Sequence, residues 1–175
     1  TLDRSSAASD VYKRQLLKIW GMVQDKLPDW KLTLVGDGPQ FGTCRQIIAE
    51  KKLKRVCLTG HQMSIPYIDR ARILCLTSVI EGLPTVFTEA MSLGVIPIGF
   101  NSFNAIYDMI DDGIDGFIIP DNNYEQYAET ILRLAQDDTL RCQIAYKAQK
   151  RKNRYDIEQV GPLWMETFRK HGLIK

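Results

Sequence analysis

The chain has 175 residues, 45% of them hydrophobic and 25% charged, which is typical of one globular domain with a substantial core. The formal net charge of +2 is too small to indicate a nucleic-acid partner. No apolar run reaches the roughly 18 residues that a membrane-spanning helix needs, and no signal peptide is recognised. These bounds exclude a membrane-embedded protein and a nucleic-acid binder as first interpretations.

Four cysteines, Cys44, Cys57, Cys75 and Cys142, form no C-x-x-C pair, and two of them lie in apolar runs typical of strands. The pattern indicates reduced, buried thiols in a cytoplasmic protein rather than a disulfide framework or a zinc site. The densest basic run is KKLKR at 51–55. We interpret it as a solvated loop, with a membrane-surface or anionic-partner patch as the alternative.

The first segment, TLDRSSAASDVYKRQ, has no apolar alternation and is rich in Ser, Ala and charge. We interpret residues 1–14 as a non-native or disordered leader and residues 15–175 as the domain, with a native flexible terminus as the alternative. LLKIWGMVQDKLPDW then predicts a helix that leads into a strand without following one. The first strand of the sheet is therefore expected to be missing, and the chain to be a fragment.

From residue 31 to residue 120, short apolar runs alternate with segments of helical spacing. Runs of about five mostly apolar residues are typical of strands covered on both faces, as in parallel sheets. The alternation predicts an α/β fold, a Rossmann-like doubly wound parallel sheet, followed after residue 120 by a helical tail. The predicted strands are KLTLVG (31–36), VCLTG (56–60), ILCLTS (73–78), IPIGF (96–100) and GFIIP (116–120), and the tail helices span roughly 124–136, 139–152 and 157–170.

SVIEGLPTVFTEAMSLG, at 78–94, follows the third predicted strand at the edge where α/β sheets bind ligands. Gly82 allows close approach of the backbone, and Pro84 presets the first helical dihedral. Thr85 and Val86 then begin a helix whose first amides lack partners and carry the positive end of the helix dipole. This is an anion site suited to a diphosphate.

Two acids flank that site, Glu81 in the loop and Glu89 about one turn into the helix. A carboxylate there would repel phosphate unless it accepts hydrogen bonds from other groups, and sugar hydroxyls are suitable donors. We therefore expect one acid for each sugar beside the diphosphate. The alternative for either acid alone is a structural role, since acids near a helix start are favourable in themselves.

The run S-V-I-E-G-L-P-T-V-F-T-E-A-M-S-L-G-V-I-P-I resembles the signature of glycosyltransferase family 4, whose E-x7-E pair is matched by Glu81 and Glu89. The resemblance extends to WKLTLVGDGP, VCLTGHQ and YDMIDDGIDGFIIP, and covers roughly residues 16–164. It implies the C-terminal, donor-binding half of a GT-B fold, in which two Rossmann-like domains enclose the active site.

The implied activity is transfer of a hexose from a nucleoside-diphosphate sugar to an acceptor hydroxyl, with retention at the anomeric carbon, in polysaccharide or glycoconjugate biosynthesis. By this resemblance Glu81 is the catalytic residue that contacts the transferred sugar, and Glu89 holds the ribose hydroxyls. The remaining implied donor-binding residues are Gly82, Leu83, Pro84, Thr85 and Val86 at the diphosphate, with Gly36, Gly38, Gly60 and His61 near the base.

No D-x-D motif or His/Asp cluster with metal-ligand spacing occurs, so we expect no metal and no cofactor beyond the sugar nucleotide, with a UDP-sugar favoured. The family usually places an Arg and a Lys after the first strand, and none of Arg4, Lys13 and Arg14 can be assigned to that role. The expected partners are the sugar-nucleotide donor and a missing N-terminal acceptor-binding domain, with peripheral membrane association of the full-length protein. The isolated chain is expected to be inactive.

Three alternatives remain. A sugar-nucleotide epimerase shares the two-domain architecture but needs catalytic acids and a His that cannot be placed here. A flavodoxin-like or receiver-type module would be a non-catalytic nucleotide-binding α/β protein. A degenerate family member could retain binding without catalysis.

Overall fold

A computed structural model describes residues 4–38, 41–79, 81–151 and 156–174. Its strands each fall within one of the five predicted runs, and helices lie between them in the predicted alternation. Turn residues shorten most strands to three or four residues. The strands are β1 (Leu32–Leu34), β2 (Val56–Leu58), β3 (Ile73–Leu76), β4 (Ile96–Phe100) and β5 (Phe117–Ile119).

All strand pairs are parallel, as predicted. β1 pairs with β2, with Leu32 opposite Val56, and β3 pairs with β4, which pairs in turn with β5. In the described ranges no ladder joins β1 to β3, so the predicted single sheet is two parallel sheets, of two and three strands. Every strand nevertheless runs in the direction that a doubly wound fold requires.

The helices follow the predicted order, including the three of the tail. α6 is capped by the Asn123 side chain, which accepts a hydrogen bond from Gln126 N at 3.0 Å, and α7 by Asp137, which accepts from Leu140 N at 2.8 Å. No described helix combines the length and apolarity needed to cross a membrane. The helices are α1 (Arg4–Val23), α2 (Phe41–Glu50), α3 (Ile65–Ile68), α4 (Thr85–Ser92), α5 (Ile106–Met109), α6 (Tyr124–Gln136), α7 (Asp138–Arg151) and α8 (Ile157–Lys170), and a 3-10 turn, Gln24–Lys26, follows α1.

α1 differs from the prediction at its start. The helix begins at Arg4, so residues 4–14, for which the sequence predicted disorder or a non-native origin, are helical and continuous with the part that packs on the sheet. Ala, Arg and Lys are good helix formers, and extending an anchored helix avoids the cost of nucleation. Residues 1–3 lie outside the described residues. The non-native origin of the leader stays a prediction.

The core is built on the two faces of the three-stranded sheet. On one face α1 and α6 cover β4 and β5, and Tyr127 donates a hydrogen bond to Ile98 O at 2.7 Å from a fully buried position. On the other face α4 and α5 pack against the sheet through Phe87, Met91 and Ile106. Burial on both faces explains why the strands are nearly all apolar.

The tail ends in a helix with an uncovered apolar face. α8 has no buried residue, and its Leu163 and Trp164 side chains are 62% and 56% exposed. These side chains therefore do not pack on the sheet of this domain.

Gly99 sets how closely α4 and α5 approach the sheet. A Cβ atom at this position would lie 2.8 Å from Ile106 Cδ1 and 3.0 Å from Phe87 Cζ, and both neighbours are fully buried. Gly99→Ala is therefore expected to lower the free energy of unfolding by about 1–3 kcal/mol, measured by urea denaturation. Gly42→Ala, in α2 with open space around it, should be neutral or stabilising. Equal stability of the two variants would contradict this packing.

Arg151 at the end of α7 holds the loop that precedes β5. Its guanidinium donates to the carboxylates of Asp111 and Asp115, the latter at 2.9 Å, and Asp115 also accepts from Asp111 N at 2.8 Å. Burial raises the pKa of the Asp115 carboxyl, while the hydrogen bond from Asp111 N and the charge of Arg151 oppose the rise. Without Arg151, a buried carboxylate would lose its counter-ion.

Arg151→Met is expected to lower the free energy of unfolding by about 3–5 kcal/mol at pH 7. Removing the Arg151 charge, which opposes the rise, should raise the Asp115 pKa further in the variant. The variant carboxyl then takes up its proton at a higher pH than the wild-type carboxyl does, so the loss should shrink as pH falls through that higher pKa. Adding Asp115→Asn to the variant should recover part of the loss. Denaturation curves at several pH values measure this dependence. The same loss of free energy of unfolding in Arg151→Met at every pH would contradict the role of Arg151 as the counter-ion of Asp115.

Candidate functional site

The loop after β3 leads to a helix start with unpaired amides. Pro84 is the N-cap of α4, with φ −71° and ψ 93°, and no side chain caps the helix. Phe87 N donates to Pro84 O at 2.9 Å, so within the described structure the amides of Thr85 and Val86 have no partner. Two donors and the positive end of an eight-residue helix therefore face the carboxyl edge of the sheet, as the sequence predicted.

Both predicted acids lie beside this helix start, Glu81 in the loop and Glu89 on α4, and both are half-buried. In the ranges that the structure covers, neither carboxylate makes a hydrogen bond or an ion pair; only the backbone oxygen of Glu89 is engaged, by Ser92 Oγ at 2.7 Å. The acids are therefore free acceptors rather than parts of a structural network. Ile80, the residue before Glu81, lies outside the described residues.

The rest of the loop is open to a ligand. Gly82, Leu83 and Thr85 are exposed, whereas Pro84 is buried and anchors the turn. A Cβ atom at Gly82 would meet no atom within 4 Å, so the space beside this backbone is empty. A bound molecule can therefore approach the loop from solvent.

A second group of predicted residues follows β1 and β2. Gly36 N donates to Gly60 O at 2.9 Å, and both glycines have positive φ, of 118° and 71°, which explains why glycine occurs there. Asp37, Gly38 and the exposed His61 line an open cavity of about 540 Å³. Among the described residues no hydrogen bond or ion pair joins this group to the loop after β3; the two groups share the carboxyl edge of parallel strands.

Tyr12 and Lys13, within α1, lie between the two groups. Tyr12 O accepts a hydrogen bond from the buried Thr77 Oγ1 at 2.8 Å, and Lys13 Nζ lies 3.7 Å from where a Cβ atom of Gly36 would be. Lys13 is a basic group at this edge to which the sequence alone assigned no role. Its position depends on the helical extension of α1, which the composition of residues 1–14 did not reveal.

The structure also tests two interpretations of the sequence that concern residues outside this edge, the basic run KKLKR and the cysteines. In KKLKR, Lys54 pairs with Asp25 at 3.2 Å, and Arg55 donates to the backbone oxygens of Gln24 and Trp30, so part of this run fixes the connection to β2. The prediction that the cysteines are buried is wrong for Cys57 and Cys142, which are exposed. Cys57 is the exposed residue between the half-buried Val56 and Leu58, so the face of β2 that carries Cys57 is uncovered.

A larger cavity, of about 800 Å³, lies along α1 and contains none of the predicted site residues. Arg14, Lys18 and Lys51 line it together with Tyr124, whose ring centroid is 4.0 Å from Lys18 Nζ. Cavity size therefore does not identify the predicted site. Among the described residues no group of three or more His, Cys, Asp or Glu side chains could hold a metal ion.

The parallel α/β architecture, with a helix start and two carboxylates without partners among the described residues at its carboxyl edge, defines a Rossmann-like fold. A model of the family described as glycosyl transferases group 1 matches residues 11–151. The chain belongs to this family.

Relatives agree with that assignment. An uncharacterized glycosyltransferase of Haemophilus influenzae is 28% identical over 156 residues, which are 85% of this chain and 43% of the relative. An alpha-1,4-N-acetyl-D-galactosaminyltransferase of Campylobacter jejuni is 27% identical, covering 80% of this chain and 39% of its own length. The chain therefore spans less than half the length of these relatives.

A crystal structure of an S. aureus TarM mutant, in complex with Fondaparinux, alpha-GlcNAc-glycerol and UDP, superposes with a TM-score of 0.82 at 25% identity. The match covers 89% of this chain and 32% of TarM. The fold is that of GT-B glycosyltransferases, and the coverage is consistent with one half of such a fold.

Because the carboxylates of Glu81 and Glu89 have no partner among the described residues, we expect them to contribute little to the free energy of unfolding. Glu81→Gln and Glu89→Gln should each change the free energy of unfolding by less than about 0.5 kcal/mol, because neither substitution removes an intramolecular partner. Asp137→Ala, which removes the cap of α7, is the control and should cost about 1 kcal/mol. Chemical denaturation measures all three. A loss at Glu81 or Glu89 as large as that of the control would indicate a structural role.

Proposed function

We propose that this chain is the donor-binding half of a retaining glycosyltransferase of family 4. It binds a nucleoside-diphosphate sugar, with UDP as the favoured nucleotide, for transfer of a hexose in polysaccharide or glycoconjugate biosynthesis. Membership of the glycosyl transferases group 1 family supports a transferase, and UDP in the similar TarM structure supports a uridine nucleotide. The observation that carries the proposal is the pair of amides at Thr85 and Val86, between the carboxylates of Glu81 and Glu89, all without a partner in the part of the chain that the structure describes.

The proposed binding mode assigns one role to each part of the edge. The diphosphate lies at the start of α4, where the backbone from Gly82 to Val86 contacts it and the sugar. Glu89 accepts from the ribose hydroxyls, and Glu81 contacts the transferred sugar as the catalytic residue. Gly38 and His61 line the cavity proposed for the base, beside the exposed Asp37, and the hydrogen-bonded Gly36 and Gly60 precede these residues in the chain.

The proposed chemistry follows from where negative charge develops. When the bond between the anomeric carbon and the diphosphate breaks, the leaving diphosphate gains charge, and donors fixed at a helix start stabilise it without reorganisation. The amides of Thr85 and Val86 meet that requirement, and Lys13 Nζ near Gly36 adds a positive charge at the same edge. We propose that no metal ion takes part.

The acceptor is proposed to bind elsewhere than on this chain, which spans 43% of the Haemophilus relative and 32% of TarM. A second domain would supply the acceptor site and close over the donor, so the isolated chain should bind donor without turnover. We place the whole protein in the cytoplasm, because four cysteines without a C-x-x-C pair suit a reducing compartment. We also propose peripheral membrane contact of the whole protein. The glycosyltransferase relatives do not favour an epimerase or a non-catalytic module.

Thermal unfolding with excess UDP, GDP or ADP tests the proposal. A nucleotide at 100 times its dissociation constant adds about 2.7 kcal/mol, which should raise the midpoint by roughly 5–10 °C for a chain of this size. UDP should raise the midpoint of the wild-type chain, and it should leave the midpoint of the Glu89→Ala variant unchanged. Glu129→Ala, which removes an exposed carboxylate from α6, should keep the rise.

Three outcomes would count against the proposal. A midpoint that no nucleotide raises would exclude donor binding by this chain, and a rise that survives Glu89→Ala would place the nucleotide elsewhere. A midpoint that rises with GDP or ADP but not with UDP would be consistent with a donor site and would contradict the choice of uridine as its base.

A further inference from the structure

The cavity of about 800 Å³ along α1 lies on the side of the helix that faces away from the strands. Ile19 and Val23 of α1 pack in one cluster with Ile98 of β4, so they mark the side towards the sheet. Lys18 and Gly21 line the cavity and are exposed, about one helical turn apart on the opposite side. The cavity continues to α2, to the turn after α2 and to the start of α6, and its volume is typical of ligand sites.

This cavity carries positive charge without a counter-ion. Lys18 and Lys51 line it and are exposed, and Arg14, at the boundary of the predicted leader, adds a third basic group. No Asp or Glu lines the cavity, and in the described ranges none of these three side chains forms an ion pair. A cleft lined by charges of one sign focuses their field and attracts ions of the other sign. The cavity therefore suits an anionic ligand.

A buried acceptor at the same cavity lacks a donor. Gln15 lines the cavity and is 9% exposed, and its Nε2 donates to Asn122 Oδ1 at 3.3 Å and to Tyr124 Oη at 3.4 Å. Its Oε1 is buried and has no hydrogen-bond partner in the part of the chain that the structure describes. Buried polar atoms are normally paired, and an ionised carboxylate is an acceptor only. A ligand that carries hydroxyl groups as well as an anionic group would supply the donor.

Part of the cavity wall is apolar. Leu17 and Leu53 line it, and a Cβ atom at Gly21 would lie 3.2 Å from Leu53 Cδ2, so the glycine lets Leu53 approach the helix. Apolar walls with a few polar groups are typical of small-molecule sites. The C–H groups of a sugar ring can pack on this wall while its hydroxyl and anionic groups contact the polar residues.

Tyr124 favours a sugar over a nucleotide as the ligand. Its ring is the one aromatic ring that lines the cavity among the described residues. Lys18 Nζ lies 4.0 Å from the ring centroid, and Phe100 packs against the same ring in an edge-on arrangement at 5.9 Å. A base bound by stacking needs a free aromatic face, and Lys18 covers one face of this ring.

We propose that this cavity is a second binding site, for an anionic saccharide that carries carboxylate or phosphate groups. Lys18 and Lys51 bind the anionic groups, and Gln15 Oε1 accepts a hydrogen bond from a hydroxyl. Leu17 and Leu53 contact the sugar ring. The site is separate from the start of α4 and does not depend on donor binding there. Its use to retain an acidic polysaccharide would rest on the proposed function.

Amide chemical-shift titrations of the whole chain test the proposal. The probes are digalacturonate and glucose 6-phosphate, and the controls are cellobiose, which has no charge, and glutarate, which has no hydroxyl. At least one probe should give saturable shifts at Lys18, Gly21 and Lys51. Both controls should bind at least tenfold more weakly, because the site needs the charges and the hydroxyls together. The probe that binds more tightly identifies the anionic group.

Two neighbouring lysines give a matched pair of variants. Lys51→Gln removes a charge from the cavity wall and should weaken binding of the probe about three- to tenfold. Lys52→Gln makes the same change at an exposed residue that does not line the cavity, and it should change the affinity less than about twofold. Gln15→Met, which removes Oε1, should weaken binding of the probe and leave the weak binding of glutarate unchanged.

Several results would overturn the proposal. An absence of shifts around the cavity with both probes would exclude the site. Equal weakening in Lys51→Gln and Lys52→Gln would mean that the probe responds to general surface charge. The probe shifts should be the same with and without saturating UDP, and displacement of the probe by UDP would mean that it occupies the donor site.

Discussion

Parallel strand pairing is the constraint on which the site depends. The strands are parallel within each sheet, so each sheet has one carboxyl edge. The neighbouring residues Tyr12 and Lys13 bring the two edges together, because Tyr12 contacts Thr77 after β3 and Lys13 lies near Gly36 after β1. The turn glycines Gly36 and Gly60, the loop around Glu81 and the start of α4 are therefore on one side of the molecule. An antiparallel arrangement of the same segments would separate them.

Packing on the far face fixes the direction of α4. Phe87 and Met91 are fully buried beneath the helix, and Gly99 lets its first turn approach β4 closely. The amides of Thr85 and Val86 are thus held by a rigid element rather than by a mobile loop. A donor group that needs no reorganisation is the kind that stabilises developing charge efficiently.

The sequence predicted the elements well, because their signals are local. Apolar runs of about five residues between turn residues identified all five strands, and helical spacing identified the tail. Two features depended on longer-range packing and were missed: the helical start of α1 and the exposure of Cys57 on β2. In the described ranges, the absence of a ladder between β1 and β3 was anticipated only as a missing strand, since pairing partners cannot be read from single runs.

The candidate site was predictable as a set of residues but not as a geometry. Glu81, Glu89 and the loop between them form a recognisable motif, whereas the approach of Lys13 to Gly36 depends on how α1 crosses the sheet. The most direct test of donor binding at this edge is an amide chemical-shift titration of the chain with UDP. We expect the largest shifts at Thr85 and Val86, with further shifts at Gly38 and Gly60. Shifts confined to the cavity along α1, around Lys18 and Lys51, would contradict donor binding at the start of α4.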